Sequence, residues 1–209
     1  MDKERKLTAA EERRKAVYEK ICAEYQSQGY RRKEVITTAF KANLYGILAA
    51  MVVALPFIVA FVGRNIAKGF HSFGLLRNTL LCLLSILALT VVHELIHALF
   101  YSFACENGFK NIEFGIVWEM LTPYCTCAEP MNKKGYLIAL LMPGLILGVL
   151  PSFIAVFSGN VSLFALGILM ILGAGGDLLI FFMVLKGHFS KEAVFLDHPF
   201  EVGTVVFEK

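Results

Sequence analysis

Four blocks of apolar residues dominate the chain, running from about Ala42 to Val62, Thr79 to Ala104, Tyr136 to Phe157 and Val161 to Leu185. Each is long enough to cross a hydrocarbon core as helix, which takes about 20 residues. The link Ser158-Gly159-Asn160 is so short that the last two blocks form a tight helical hairpin. Between the second and third blocks the pattern changes. Ile112, Phe114, Ile116, Trp118 and Met120 alternate with Glu113, Gly115, Val117 and Glu119, and a period of two predicts a strand. Thr122-Pro123 ends it and Tyr124 to Ala128 returns as a second strand, giving a small hairpin at the membrane surface.

Ahead of the first block lies a charged arm that reads as helix. Thr8 and Glu11 stand at capping-box spacing, Glu11 and Lys15 at i,i+4, and Gly29 supplies a stop. Val17, Ile21 and Tyr25 are mixed with Arg and Lys, which suits either the inner leaflet or a solvated lead-in to the first span. The expected fold is an all-α polytopic membrane protein. It has four transmembrane helices, a cytoplasmic β-hairpin between the second and third, and a charged N-terminal helix. Three parts follow: an arm over 1–41, a membrane core over 42–185 and a tail over 186–209.

Composition agrees with this pattern. Of 209 residues 57% are hydrophobic and 18% charged, with a mean hydropathy of +0.64; ordinary soluble domains run near 45–50% and 25%. A soluble globule and a disordered chain are both excluded. A net charge of +3, unevenly spread, does not suit a nucleic-acid binder. The first 36 residues are too charged for a signal peptide.

Charge also orients the spans. Lys and Arg number 11 in residues 1–41 and three each in 63–78, in 105–135 and from Lys186 onward. Four spans with both termini inside put 17 (11, 3 and 3) on the cytoplasmic side and three outside, as the positive-inside rule favours. Cys22, Cys105, Cys125 and Cys127 then lie in or beside a reducing compartment, where no disulfide framework is expected.

The candidate chemistry sits in the second span, in His93-Glu94-Leu95-Ile96-His97. Four-residue spacing puts both imidazoles on one helical face, where they can bind one Zn²⁺, and Glu94 beside them is placed to take a proton from water. Polar groups of this kind inside a bilayer are costly and mark function more often than packing. Catalytic zinc usually takes a third protein ligand. Asp177 is the candidate, as the only charged residue of the fourth span and, at 1.5 Å per residue, within about a turn of the histidines in depth. Gly173, Gly175 and Gly176 would let helices approach there. Glu106, Glu113, Glu119, His188, Asp197 and His198 are rival ligands outside the spans. Pro143-Gly144 falls at the same level in the third span. A proline there breaks a helical hydrogen bond, which could free a carbonyl or open room for substrate. Cys125-Thr126-Cys127 reads as ordinary strand, and His71 as a surface residue of the outer loop.

A membrane-embedded His-Glu-Leu-Ile-His, a proline-bearing following span and a late aspartate resemble the site-2 protease type of intramembrane metalloprotease. The closer resemblance is to a bacterial family described as "putative zincin peptidase". It is carried by His93 to Ala98, Pro143 and Pro151, Gly176-Asp177, and a tail with Asp197, His198, Pro199 and Gly203. Asp177 is followed by Leu178, and Met142 precedes Pro143, both unlike the site-2 pattern. The resemblance implies a zinc site and peptide hydrolysis in a bacterial cytoplasmic membrane. His93, His97 and Asp177 would be the ligands and Glu94 the general base. Substrates would be peptides or membrane proteins, with Ile112, Phe114, Ile116, Trp118, Pro143 and Gly144 as substrate contacts. The alternative is a membrane protein that binds zinc without catalysis, as a structural or metal-handling module. Nothing in the sequence fixes the oligomeric state.

Overall fold

The computed structural model describes residues 9–66, 68, 79–117 and 122–209. Helix α1 (Ala9–Ser27) leads into strand β1 (Arg31–Thr37). Gly29 makes the stop: its φ is 83°, and Tyr30 N–H returns to Tyr25 O at 3.0 Å, the left-handed helix ending that glycine favours. Two long apolar helices follow, α2 (Ala39–Asn65) and α3 (Thr79–Ala104). Thr38 caps α2 by accepting Lys41 N–H at 3.3 Å.

A hairpin stands close to where alternation placed it, with β2 (Ile112–Val117) antiparallel to β3 (Thr122–Cys127), but Thr122 and Pro123 belong to β3, opposite Val117 and Ile116, and are not the stop expected of them. Strand β4 (Met131–Asn132) then enters α4 (Lys133–Pro143), a π-helical stretch over Gly144–Val149 and α5 (Leu150–Ser158). Gly159 at φ 69° turns the chain, and Asn160 caps α6 (Val161–Gly173). Helix α7 (Gly175–Lys186) continues after a bend of 48°. Strands β5 (Val194–Asp197) and β6 (Val202–Glu208) close the chain.

Among the described residues three helices, α2, α3 and the run from α4 through α5, are long and apolar enough to cross a membrane, and the bent α6–α7 pair makes a fourth if it is one span. The bounds match the apolar blocks to within a few residues. Large side chains such as Leu48, Val52, Leu55, Leu83, Leu87 and Leu95 point outward. In water such a surface would aggregate; it suits hydrocarbon.

The all-α expectation needs correction. A four-stranded antiparallel sheet in the order β1-β6-β5-β4 joins the charged arm to the tail. Register pairs Ile36 with Gly203 and Asp197 with Thr204. Its central strand β6 is buried on both faces. Val205 and Phe207 pack with Cys22, Tyr18 and Ile21 of α1, while Val206 and Phe195 pack with Tyr101, Tyr136 and Val184 of the helices. A strand covered on both sides reads as a continuous apolar run and not as alternation. This explains why Val202–Glu208 carries no period-two signature.

Within the bundle, α2 lies against α5, α6 and α7, and α3 lies against α4 and β3. The α2 face uses Ala42, Gly46, Ala50 and Ala54, all buried. Small residues at this spacing let helix backbones approach without help from water. Asn65 closes the far end, donating to Phe61 O at 2.9 Å and Val156 O at 3.1 Å.

Candidate metal centre

His93 and His97 stand one turn apart on α3, and both are buried. Asp177 meets them from the first turn of α7. Its Oδ2 lies 3.1 Å from His93 Nε2 and 3.4 Å from His97 Nε2, and the two Nε2 atoms are 3.2 Å apart. A tetrahedral zinc with ligands at about 2.0–2.1 Å holds those ligands about 3.3 Å from one another. The triangle therefore has the size of one face of a zinc tetrahedron. His97 Nδ1–H donates to the Ala139 carbonyl at 2.9 Å, and because a carbonyl only accepts, Nε2 of the neutral ring carries the lone pair. His97 Nε2 and Asp177 Oδ2 then face each other as two acceptors. Such a pair repels unless a cation or proton lies between them, so the donor set fits a metal ion.

Backbone geometry delivers Asp177 to this point. Helix α6 stops at Ala174, whose N–H bonds Met170 O at 3.0 Å, and α7 begins afresh after the bend. Gly175 touches α2: a Cβ on it would stand 2.7 Å from the carbonyl carbon and oxygen of Gly46, and a Cβ on Gly46 would meet the same atoms of Gly175 at 2.7 Å. Only hydrogen fits at either position. Gly173 and Gly176 face open space, so the expected close approach belongs to Gly175 alone.

Glu94, half-buried, is reached by the Cys125 backbone amide from β3. The ladder explains this. Ala128 N–H bonds Asn111 O at 2.8 Å, so on an antiparallel ladder Thr126 pairs toward β2 while the Cys125 and Cys127 amides point outward. The Cys127 amide donates to Asp197 Oδ2 at 3.1 Å. Asp197 also accepts from Thr126 Oγ1 at 3.2 Å and, on Oδ1, from the Tyr136 hydroxyl at 3.0 Å. Burial pushes the Asp197 carboxyl above its usual range even against these donors. The Cys125 thiol is also pushed up, by burial first and then by Glu94 and Asp197.

The structure brings His93, Glu94, His97 and Asp177 together. Phe114 and Ile116 are 55% and 46% exposed on β2, whereas Ile112 packs against the core. Trp118, like Thr8, His71, Glu119 and Met120, lies outside the described residues. Gly144 is half-buried beside Ala174. Pro143 is fully buried.

The rival ligands are occupied elsewhere or stand apart. Glu113 pairs with Arg14 at 3.8 Å, and His198 Nδ1 accepts from the Phe200 and Glu201 amides. Neither Glu106 nor His188 joins a metal-capable cluster among the described residues.

The hairpin folds onto the end of α3 and brings the Cys105 and Cys127 sulfurs together, with Cys22, Cys82 and Cys125 apart from them. Glu129 lies near that pair, but Asn107 and Asn111 hold its carboxylate.

Sequence reasoning missed three contributors: the Ala139 carbonyl, Gly46 and Asp197. The small-residue spacing Ala42, Gly46, Ala50, Ala54 was a usable signal for the second. Asp197 had none, because its role depends on a sheet built from both ends of the chain.

Two imidazoles one turn apart, a carboxylate completing their triangle and a glutamate beside them form a group that could hold a metal ion. Residues 86–188, which hold all four, match the model of a family described as "putative zincin peptidase". No curated protein and no solved structure matches the chain.

Proposed function

We propose that this protein is a zinc-dependent, membrane-embedded peptidase acting on membrane or membrane-proximal substrates near the cytoplasmic face. The observation that carries the proposal is the triangle of His93 Nε2, His97 Nε2 and Asp177 Oδ2, with edges of 3.1, 3.2 and 3.4 Å. These three residues would hold the ion. Bound there, zinc supplies Lewis acidity toward water and a peptide carbonyl.

The remaining work falls to the chain's own groups. Glu94 takes the proton from the attacking water as its oxygen bonds to the carbonyl carbon. It then delivers that proton to the amine nitrogen as the C–N bond breaks. The Cys125 amide orients the Glu94 carboxylate. Buried apolar surroundings exclude bulk water from all but the open side of the cluster.

A helical substrate shields its peptide bonds and has to be extended before hydrolysis. The outer edge of β2 would take such a segment by strand addition, with exposed Phe114 and Ile116 on the same strand. Proline substitutions along Ile112–Val117 should then slow cleavage; unchanged cleavage would remove the hairpin from the mechanism. The distribution of Lys and Arg supports both termini facing the cytoplasm of a bacterial membrane.

Metal analysis of purified protein tests the centre, and Glu94→Gln tests catalysis. One zinc per chain, lost in His93→Ala/His97→Ala, is expected, with Glu94→Gln retaining zinc and losing proteolysis. Full cleavage by Glu94→Gln would refute the mechanism. A proteome comparison of cells carrying wild type and Glu94→Gln identifies the substrate in the same experiment.

A further inference from the structure

Within a helix each N–H bonds the carbonyl four residues back. Position 143 is a proline near the end of α4, and proline has no N–H to give to the carbonyl four residues earlier. That carbonyl belongs to Ala139. It is the group that accepts His97 Nδ1–H at 2.9 Å. Ala139 is fully buried, so water does not compete for the vacated position. The disturbance is local: the next amide, Gly144 N–H, bonds Leu141 O, and a π-helical stretch runs to Val149.

We infer that Pro143 is a positioning residue of the metal centre, acting through Ala139 and His97. By withholding a helical donor, it reserves that oxygen for the imidazole. The bond fixes the Nδ1–H tautomer and aims Nε2 at His93 and Asp177. An ordinary residue at 143 would supply a competing N–H. His97 would then lose both its orienting partner and its tautomer preference. Partners of this kind are commonly worth about 10–100-fold in metal affinity.

The inference rests on the proposed zinc site, and zinc affinity separates the two. Affinity is measured by chelator competition on full-length protein in detergent, for wild type, Pro143→Ala and a variant with the α-hydroxy acid analogue of alanine at 143. The last has an ester in place of the amide, so it restores neither the ring nor the N–H. Pro143→Ala should bind zinc about 10-fold or more weakly, while the ester variant keeps wild-type affinity. A purely structural role of the ring would weaken both equally, and that result overturns the inference. So does wild-type affinity in Pro143→Ala.

If Pro143→Ala does not fold, a second ester decides. The α-hydroxy analogue of leucine at 140 turns the Ala139 carbonyl into an ester carbonyl, a poorer acceptor, and leaves Pro143 in place. Weaker zinc binding is expected there, and unchanged binding overturns the inference. Wild type that holds no zinc overturns the metal reading itself, and this inference with it.

Discussion

Gly46→Ala is a substitution on a helix with no metal ligand, yet it should damage the metal centre. The added Cβ would stand 2.7 Å from the carbonyl carbon and oxygen of Gly175 and 3.1 Å from Gly176 N. Ordinary contact begins at 3.4 Å, so α2 and the start of α7 must separate by about 0.7 Å (3.4 less 2.7), against backbone atoms that have no rotamer to change. Asp177 is two residues along the same turn. A metal site tolerates errors of only about 0.2 Å in ligand distance, so a displacement several times larger reaches the cluster unless the turn deforms. Overpacking of this kind costs about 1–3 kcal/mol, and each 1.4 kcal/mol expressed at the site lowers zinc affinity about tenfold. The assay is chelator competition with Gly63→Ala as control, since a Cβ at Gly63 meets nothing within 4 Å. Gly63→Ala should bind zinc as wild type does. Undiminished affinity in Gly46→Ala would refute the argument that the Gly46–Gly175 crossing sets the position of Asp177.

Asp177→Ala should weaken zinc binding while leaving helical content unchanged, read by metal analysis and circular dichroism; full zinc occupancy would identify another third ligand. Removing the metal should lower the melting temperature, because an ion held at 100 times its Kd stabilises the fold by about 2.7 kcal/mol; chelator without effect on melting would argue against a buried site. Asp197→Asn keeps one acceptor oxygen where the carboxylate served Thr126, Cys127 and Tyr136, and should cost about 1–3 kcal/mol. The same variant has a pH signature. Burial raises the Asp197 carboxyl in the folded state, so the folded protein holds that proton more tightly than the unfolded chain. Its contribution is greatest below the unfolded value and declines as pH rises through the folded one. Melting curves of wild type should therefore lose stability relative to Asp197→Asn over that range, and parallel curves would contradict the assignment.

Much of the centre was legible because lipid makes polar residues conspicuous. Glu94 and Asp177 are the only carboxylates in the four apolar blocks, and His93 and His97 announce themselves by spacing alone. The spans and the hairpin followed from periodicities of composition that tertiary structure does not alter. What stayed hidden depended on distant partners. Arg31–Thr37 reads as part of a charged arm, yet it pairs with Val202–Glu208 some 170 residues later; no local pattern encodes such a partner. The bend at Ala174 was invisible for a similar reason. Gly173, Gly175 and Gly176 look alike in sequence, and only the Gly46 backbone opposite Gly175 distinguishes them.

The sheet gives the two ends of the chain a place in the chemistry. β6 holds β5, and Asp197 at the end of β5 grips both the Cys127 amide of β3 and the Tyr136 hydroxyl of α4. Two residues before Cys127 on the same strand, the Cys125 amide reaches Glu94. Three residues after Tyr136 on the same helix, the Ala139 carbonyl orients His97. One half-buried carboxylate thus fixes the spacing between the strand that reaches Glu94 and the helix that reaches His97. Glu94 and His97 are rigidly related along α3 already, but their partners come from separate elements, which Asp197 joins by hydrogen bonds. Loosening that joint should misalign base and ligand together. A defect at Asp197 is therefore expected to lower turnover more than it lowers zinc affinity, because a histidine held by a metal has other restraints and a glutamate that moves a proton has few.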